Sequence, residues 1–298
     1  MSRLVDTGAL TARRIREPEA VAEAWAARRP FTGIPADGRL LVIAADHPAR
    51  GALAVRGDRA AMASRPDLLE RLATALSRPG VDGVLGTPDV LEDLLLAGLL
   101  DDRLVIGSMN RGGLQGSVFE LDDRFTAFDA PTIAQLGLDG GKMLTRICLE
   151  DAGTAATLEA SGDAVSALAA QGLMAMVEPF ITVRHAPNRV ENLLDPDSVI
   201  SSIAVASGLG ATSAHTWLKL PVVEDMERVL ESTTLPCLLL GGDPTGDPEA
   251  TYATWGAALT CPSAAGLVVG RALLYPPDGD VAGAVDTAAQ LVHGGGRR

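Results

Sequence analysis

Eight short apolar segments alternate with longer amphipathic segments along most of this chain, and this alternation restricts the fold more than any other feature. Each apolar segment is rich in Val, Leu, Ile or Met and is bounded by Gly, Pro or Asp, which is typical of strands buried on both faces of a parallel sheet. The apolar segments are residues 39–46, 82–87, 103–109, 137–144, 172–179, 213–221, 236–242 and 265–271. Helices are predicted between them at 64–80, 87–100, 154–172, 195–210, 223–234, 246–259 and 278–295.

Eight strand–helix units predict an α/β fold, and a single closed (β/α)₈ TIM barrel accounts for them better than an open sheet. An open sheet of this kind usually carries a GxGxxG turn after its first strand, and this sequence has none there. We therefore expect an N-terminal helical extension over residues 1–38, with its helix at 16–29, and a barrel over residues 39–298. A long loop at 110–131 interrupts the third unit, and loops of such length are more often functional than structural.

Composition excludes several classes of protein. The formal net charge of −13 makes the chain a poor partner for nucleic acid or an anionic membrane. The cysteines, Cys148, Cys237 and Cys261, show no CxxC spacing, which argues against a disulfide framework and a structural zinc site. The N-terminal residues lack the apolar segment of a secretory signal, and no apolar run is long enough for a membrane helix. We therefore expect a cytoplasmic protein that binds neither nucleic acid nor membrane.

Lysine is almost absent from this sequence. Of 25 basic residues only Lys142 and Lys219 are lysines, and the others are arginines. Arginine stays protonated in proteins, whereas a buried lysine can lose its proton and act as a nucleophile. Both lysines fall in predicted strands, so we expect both to take part in the chemistry. The alternative for Lys219 is a side chain that extends its ammonium group to water.

Polar residues cluster where the predicted strands end, and the active site of a (β/α)₈ barrel lies at the carboxyl ends of its strands. The candidates in chain order are Asp46, His47, Met109, Asn110, Arg111, Lys142, Glu178, Lys219, Gly241, Gly242, Gly270 and Arg271. Arg184 and His185 follow shortly after Glu178.

These residue types suggest acid–base and nucleophilic chemistry. Lys219, between apolar neighbours, is the candidate nucleophile for a carbonyl, and Lys142 is the second cation that would lower its pKa. Glu178 ends an apolar run, so we expect burial to raise its pKa and suit it to proton transfer. Asp46 would orient a lysine or bind a substrate hydroxyl. The alternative is that both carboxylates only pair with basic residues.

Glycine turns after the seventh and eighth strands predict an anion site. Backbone N–H groups at Gly241, Gly242 and Gly270 would bind a phosphate, and Arg271 would add a charge-assisted hydrogen bond. Ordinary tight turns are the alternative. We place His47 among the substrate-binding residues because it follows Asp46 directly.

The histidines allow a second interpretation. His47, His185 and His215, together with Asp46 and Glu178, would form a metal site only if the fold brought them together. No HxH or HExxH spacing supports such a site, so we expect neither metal nor cofactor. His293 lies in the C-terminal segment, where we expect it to be inert.

The order of the strand-end residues resembles the class I, Schiff-base-forming aldolases of the DeoC/LacD superfamily, in particular the tagatose-bisphosphate and archaeal-type fructose-bisphosphate aldolases. The resemblance covers about residues 39–290. It rests on six segments in order: AADH, GGKML, MVEPF, WLKLP, LLLGG and VVGRA. The sequence departs from the pattern at His47-Pro48 and in the long loop after the third strand, and both departures concern substrate choice rather than imine chemistry.

The resemblance implies a homo-oligomeric enzyme in which Lys219 forms an imine with a phosphorylated keto-sugar or sugar acid. The chain is also similar to an aldolase-like branch associated with inositol catabolism. That similarity implies 5-dehydro-2-deoxygluconate 6-phosphate as substrate, cleaved to dihydroxyacetone phosphate and malonate semialdehyde. A deoxyribose-phosphate-type aldolase, a metal-dependent aldolase or isomerase, and a non-catalytic barrel that binds sugar phosphates remain alternatives.

Overall fold

A closed barrel of eight parallel strands forms the centre of the molecule. The computed structural model describes residues 4–187, 189–242 and 246–294. The strands are β1 Leu40–Ala44, β2 Gly83–Gly86, β3 Leu104–Ser108, β4 Gly140–Ile147, β5 Met174–Ala186, β6 Arg189–Asn192, β7 Thr216–Pro221, β8 Cys237–Leu240 and β9 Ala264–Val269. Strands β1, β2, β3, β4, β5, β7, β8 and β9 pair in that order, and pairing of β9 with β1 closes the ring. The predicted (β/α)₈ barrel is therefore confirmed.

Strand β5 is longer than the sequence pattern predicted. It continues beyond the barrel to Ala186 and pairs antiparallel with β6 through Thr182–Asn192 and Val183–Glu191. The hairpin carries Arg184 and His185 away from the barrel interior.

The helices surround the barrel. They are α1 Thr7–Arg16, α2 Ala20–Ala27, the single 3₁₀ turn η1 His47–Arg50, α3 Arg65–Leu76, α4 Pro88–Leu96, α5 Ala130–Gln135, α6 Gly153–Ala170, α7 Pro196–Ser207, α8 Met226–Glu231, α9 Pro248–Ala258, α10 Arg271–Leu274 and α11 Val281–His293. All seven helices predicted between the strands are present, with α5 in addition at the end of the long loop.

The N-terminal helix predicted at 16–29 is present as α2, Ala20–Ala27, and is shorter than predicted. A further helix that was not predicted, α1, precedes it, and the helical backbone ends at Glu17. Glu17 precedes Pro18, and the proline ring disfavours helical backbone at the residue before it. The division into an extension over 1–38 and a barrel over 39–298 stays a prediction.

Side chains fill the interior of the barrel in alternation. On β1, Leu40, Val42 and Ala44 face the interior, whereas Leu41 and Ile43 pack against the outer helices. Met174 and Met176 of β5 join the same inner cluster. This period of two fixes which side chains the upper ends of the strands direct inward. Within the described residues, no helix has both the length and the apolar character needed to cross a membrane.

Candidate active site

The inward-facing positions change from apolar to charged near the carboxyl ends of the strands. On β5, Glu178 follows Met174 and Met176 at the next inward position, and on β7, Lys219 lies two residues after Trp217, which packs against the inner cluster. Lys142 pairs in register with Met176 on the neighbouring strand. Three charged side chains therefore lie directly above the apolar interior.

Glu178 contacts both lysines of the chain. Lys219 Nζ lies 3.0 Å from Glu178 Oε1, and Lys142 Nζ forms a close ion pair with Glu178 Oε2. Lys142 Nζ also donates to Asp46 Oδ2 at 3.3 Å. The lysines are 1% and 3% exposed, and lysine is rarely so buried unless it is paired or used. The four predicted catalytic residues thus form one connected cluster.

Arg111, a strand-end candidate to which no role was assigned from sequence, extends this cluster. Its Nε donates to Ser108 Oγ at 2.7 Å, and its terminal nitrogen forms a close ion pair with Asp46 Oδ2. Ser108 Oγ also donates to Asp46 Oδ2 at 3.3 Å. The position of Arg111 at the end of β3 was the available signal, but the direction of its side chain depends on the loop that follows.

Burial and neighbouring charges shift the pKa values of the cluster. Burial lowers the pKa of both lysines, and the Arg111 cation lowers them further. Burial also lowers the pKa of Arg111 to about 10, which leaves it charged at neutral pH. Burial opposes ionisation of Glu178, but the ammonium groups of Lys142 and Lys219 outweigh it and hold its pKa well below the ordinary value. The predicted rise in the pKa of Glu178 is therefore wrong.

Across the barrel from the lysine cluster, neighbouring atoms lie very close to the backbone at two glycines. A Cβ at Gly270 would overlap the carbonyl oxygen of Ala44, and a Cβ at Gly241 would lie 2.7 Å from Val269 Cγ1. Gly242 has φ of +62°, a conformation that favours glycine. Gly270 is followed at once by Arg271, the first residue of the short helix α10.

A cavity of about 440 Å³ connects the two sides. The nine residues that were assigned catalytic or binding roles from sequence all line it, namely Asp46, His47, Lys142, Glu178, Lys219, Gly241, Gly242, Gly270 and Arg271, whereas the candidates Met109 and Asn110 do not. Arg50 and Arg111 line it as well, so five basic side chains and two acidic ones face the cavity. A chain with a net charge of −13 thus places a local excess of positive charge here, as binding of an anion requires.

The other histidines lie elsewhere. His185 Nε2 pairs with Glu191 at 2.8 Å on the exposed hairpin, and His215 precedes β7 at the opposite end of the barrel. His293 is not isolated, because its ring nitrogens lie 2.6 Å from Asp37 and 3.2 Å from Asp82. In the part of the chain that the structure describes, no three His, Cys, Asp or Glu side chains group as metal ligands would.

The chain is a (β/α)₈ barrel whose strand ends carry a buried cluster of lysine, arginine and carboxylate side chains. The Cgl0159-like family model matches residues 38–289, and the chain belongs to this family. The crystal structure of Cgl0159 from Corynebacterium glutamicum is 56% identical, covers 98% of this chain and 99% of its own, and superposes with a TM-score of 0.95.

More distant structures share the fold. An archaeal fructose 1,6-bisphosphate aldolase is 19% identical over 92% of this chain and 100% of its own, with a TM-score of 0.66. A fructose-bisphosphate aldolase from Slackia heliotrinireducens is 15% identical over 90% and 95%, with a TM-score of 0.59. No protein of curated function matches the chain.

Proposed function

We propose that this protein is a class I aldolase that cleaves a phosphorylated keto-sugar or sugar acid through a lysine imine. The observation that carries the proposal is the pair of buried lysines that share the Glu178 carboxylate on the wall of a basic cavity. A lysine in this setting is a nucleophile matched to a ketone.

The charges of the buried cluster favour one uncharged lysine. Arg111, Lys142 and Lys219 are basic, and Asp46 and Glu178 are acidic, so full ionisation leaves one excess positive charge away from water. An unbalanced buried charge is costly, and loss of one proton removes it. Arg111 holds its proton, so a lysine must give one up.

Lys219 is the better candidate for the free amine. Lys142 contacts two carboxylates, Asp46 and Glu178, whereas among the described residues Glu178 is the one carboxylate that Lys219 contacts. Two carboxylates hold an ammonium ion more strongly than one. Lys219 would attack the ketone, and the iminium would take up the electron pair of the breaking carbon–carbon bond. The carboxylate of Glu178 would stabilise the positive charge of that iminium, and Lys142 would bind an oxygen of the substrate.

The other side of the cavity suits the phosphate. Gly241, Gly242 and Gly270 would present backbone N–H groups, and Arg271 would add a guanidinium. The cavity volume of about 440 Å³ is within the range of small-ligand sites.

The relatives support the same chemistry. One archaeal fructose-1,6-bisphosphate aldolase of this fold, 19% identical, is described with its catalytic lysine covalently bound to the carbinolamine intermediate of the substrate. We propose 5-dehydro-2-deoxygluconate 6-phosphate as the first substrate to assay, with dihydroxyacetone phosphate and malonate semialdehyde as products. The place in inositol catabolism, the homo-oligomeric assembly and the cytoplasmic location stay predictions.

Reductive trapping tests the proposal. The protein is incubated with dihydroxyacetone phosphate and sodium borohydride, and the modified residue is mapped by mass spectrometry. We expect a stable adduct on Lys219. An adduct on Lys142 would exchange the roles of the lysines. Absence of any adduct would refute a phosphorylated ketone donor, and acetaldehyde would then test the deoxyribose-phosphate type.

Turnover assays cover the remaining alternatives. Loss of activity with a chelator, restored by zinc, would favour a metal-dependent enzyme. Thermal stabilisation by sugar phosphates with neither turnover nor adduct would indicate a non-catalytic binding barrel.

A further inference from the structure

His47 lies between the lysine cluster and the glycine turns. Its Nδ1 is 3.9 Å from Asp46 Oδ1, and a Cβ built on Gly270 would lie 3.1 Å from its Cε1. The ring lines the cavity. About 24% of the side chain is accessible, yet Nδ1 is buried and has no hydrogen-bond partner within the described residues. The accessible edge of the ring therefore faces the cavity.

Retro-aldol cleavage needs a group that takes a proton from the substrate and returns it. Glu178 is a poor candidate, because each of its oxygens contacts a lysine and both ammonium groups lower its pKa. Asp46 Oδ2 is shared among Arg111, Lys142 and Ser108. If either carboxylate accepted a proton, it would lose the negative charge that holds its basic partners in place.

We propose that His47 is the general base and acid of the reaction, an inference that rests on the proposed function. Its imidazole would take the proton of the β-hydroxyl as that oxygen becomes the carbonyl of the leaving aldehyde. The electron pair of the broken carbon–carbon bond passes to the iminium and gives an enamine. The imidazolium then returns the same proton to the enamine carbon, so no external oxidant or reductant is needed.

The charges around His47 connect this step to phosphate binding. The facing charged groups are Arg271, Lys219, Lys142, Glu178 and Asp46. Burial lowers the pKa of His47 well below its ordinary value, and Arg271 is the strongest of the three cations that lower it further. A phosphate bound at Arg271 offsets that cation and raises the pKa toward the range where imidazole exchanges protons readily. His47 would thus become effective when the phosphorylated substrate is in place.

Hydrogen exchange separates this step from imine formation. The wild type and His47→Gln are compared in two assays with dihydroxyacetone phosphate: borohydride trapping, and exchange of the C3 proton with D₂O followed by NMR. In the exchange, the imidazole takes the C3 proton as the enamine forms. We expect His47→Gln to retain the lysine adduct and to lose about a hundredfold or more of the exchange rate. His185→Gln, on the hairpin, is the matched control and should behave as the wild type.

Each outcome of the exchange and trapping assays tests the role of one residue or the reaction itself. Exchange at the wild-type rate in His47→Gln would overturn the role of His47. Normal exchange in His47→Gln together with its loss in Glu178→Gln would assign the proton transfer to Glu178. Failure of the wild type to trap any lysine with dihydroxyacetone phosphate would refute the proposed phosphorylated ketone donor, which is a separate outcome. A thermal unfolding curve shows whether His47→Gln is folded, and His47→Asn is the second variant if it is not.

The pKa of His47 gives a readout that a purely structural role would not change. The chain has four histidines, so their ring proton resonances can be assigned by substitution. We expect inorganic phosphate to raise the pKa of His47 in the wild type and to leave it nearly unchanged in Arg271→Gln. An equal pKa with and without phosphate, at a concentration that saturates binding to the wild type, would contradict the coupling.

Discussion

Lys219 Nζ lies 3.0 Å from Glu178 Oε1, across the paired strands β5 and β7, and the second oxygen of that carboxylate holds Lys142. One carboxylate therefore orients both lysines. Glu178 acts as an anchor for two nitrogen atoms, which explains why its pKa falls although burial alone would raise it.

Removing this anchor should destabilise the fold. Glu178→Gln leaves the buried Lys142 ammonium group with a neutral amide in place of the carboxylate, and breaking a buried ion pair costs about 3–5 kcal/mol. Urea unfolding at neutral pH measures the change in the free energy of unfolding. Asp151→Asn is the matched control, because its partner Arg184 lies in a partly exposed pair and such pairs contribute less than about 1 kcal/mol. Equal losses in the two variants would contradict the anchor.

Replacing Lys219 with arginine should separate charge from nucleophilicity. Lys219→Arg keeps a cation beside Glu178 but has no amine that can form an imine. We expect no borohydride adduct and no turnover, with the cluster still charged. Lys142→Arg serves as the comparison and should retain some adduct. An unchanged adduct yield in Lys219→Arg would rule out Lys219 as the nucleophile.

Arg111 should set the pH at which the amine reacts. Its charge lowers the pKa of both lysines, so Arg111→Met raises those pKa values. A higher pKa leaves less free amine at neutral pH and restores it at alkaline pH. The trapping rate should therefore fall near neutral pH and recover as the pH rises. We expect the pH profile of trapping to move to higher pH by about one unit or more. A pH profile that coincides with the wild type would refute this role.

His293 should make stability depend on pH at the amino end of the barrel. Hydrogen bonds to Asp82 and Asp37 raise its pKa to about 9. The raised value means that its contribution is complete below the unfolded pKa of about 6.5 and disappears as the pH rises through the folded value. We expect His293→Gln to lower the free energy of unfolding by about 1–2 kcal/mol near pH 6, a value reduced for solvent screening. Above about pH 9.5 we expect almost no loss. Urea unfolding at both pH values measures this, and an equal loss at each would exclude proton linkage.

The close approach at Gly270 gives a steric prediction. Gly270→Ala forces a methyl group onto the carbonyl oxygen of Ala44, so β1 and the turn after β9 must separate. We expect lower thermal stability and a loss of more than tenfold in phosphate affinity, measured by calorimetry. Gly256→Ala in helix α9 has its nearest neighbour at 3.4 Å and is the control, where alanine should be neutral or stabilising. Phosphate affinity retained in Gly270→Ala would contradict the proposed phosphate site.

Much of this architecture was predictable because barrel strands repeat a simple pattern. Lys142, Glu178 and Lys219 each end or interrupt an apolar run, and the period of two directs them inward above the filled interior. The fold, the helices between the strands and the grouping of these residues follow from that regularity.

The errors concern interactions between distant parts of the chain. The pKa of Glu178 depends on two ammonium groups whose distances only the folded barrel sets. Arg111 lies where β3 gives way to an irregular loop, so no periodicity indicates its direction. His293 meets Asp37 and Asp82 over more than two hundred residues of sequence, which a local pattern does not reveal.

The burial of both lysines has a further consequence for the outer surface. Apart from its α-amino group, the folded chain offers no primary amine on its outer surface, because Lys142 and Lys219 are reached only through the cavity. Acetylation and ubiquitin attachment at lysine therefore have no target on the native protein. A bulky amine-reactive tag that cannot enter the cavity would modify a lysine only in molecules whose barrel has opened, so lysine tagging of this chain would record its unfolding.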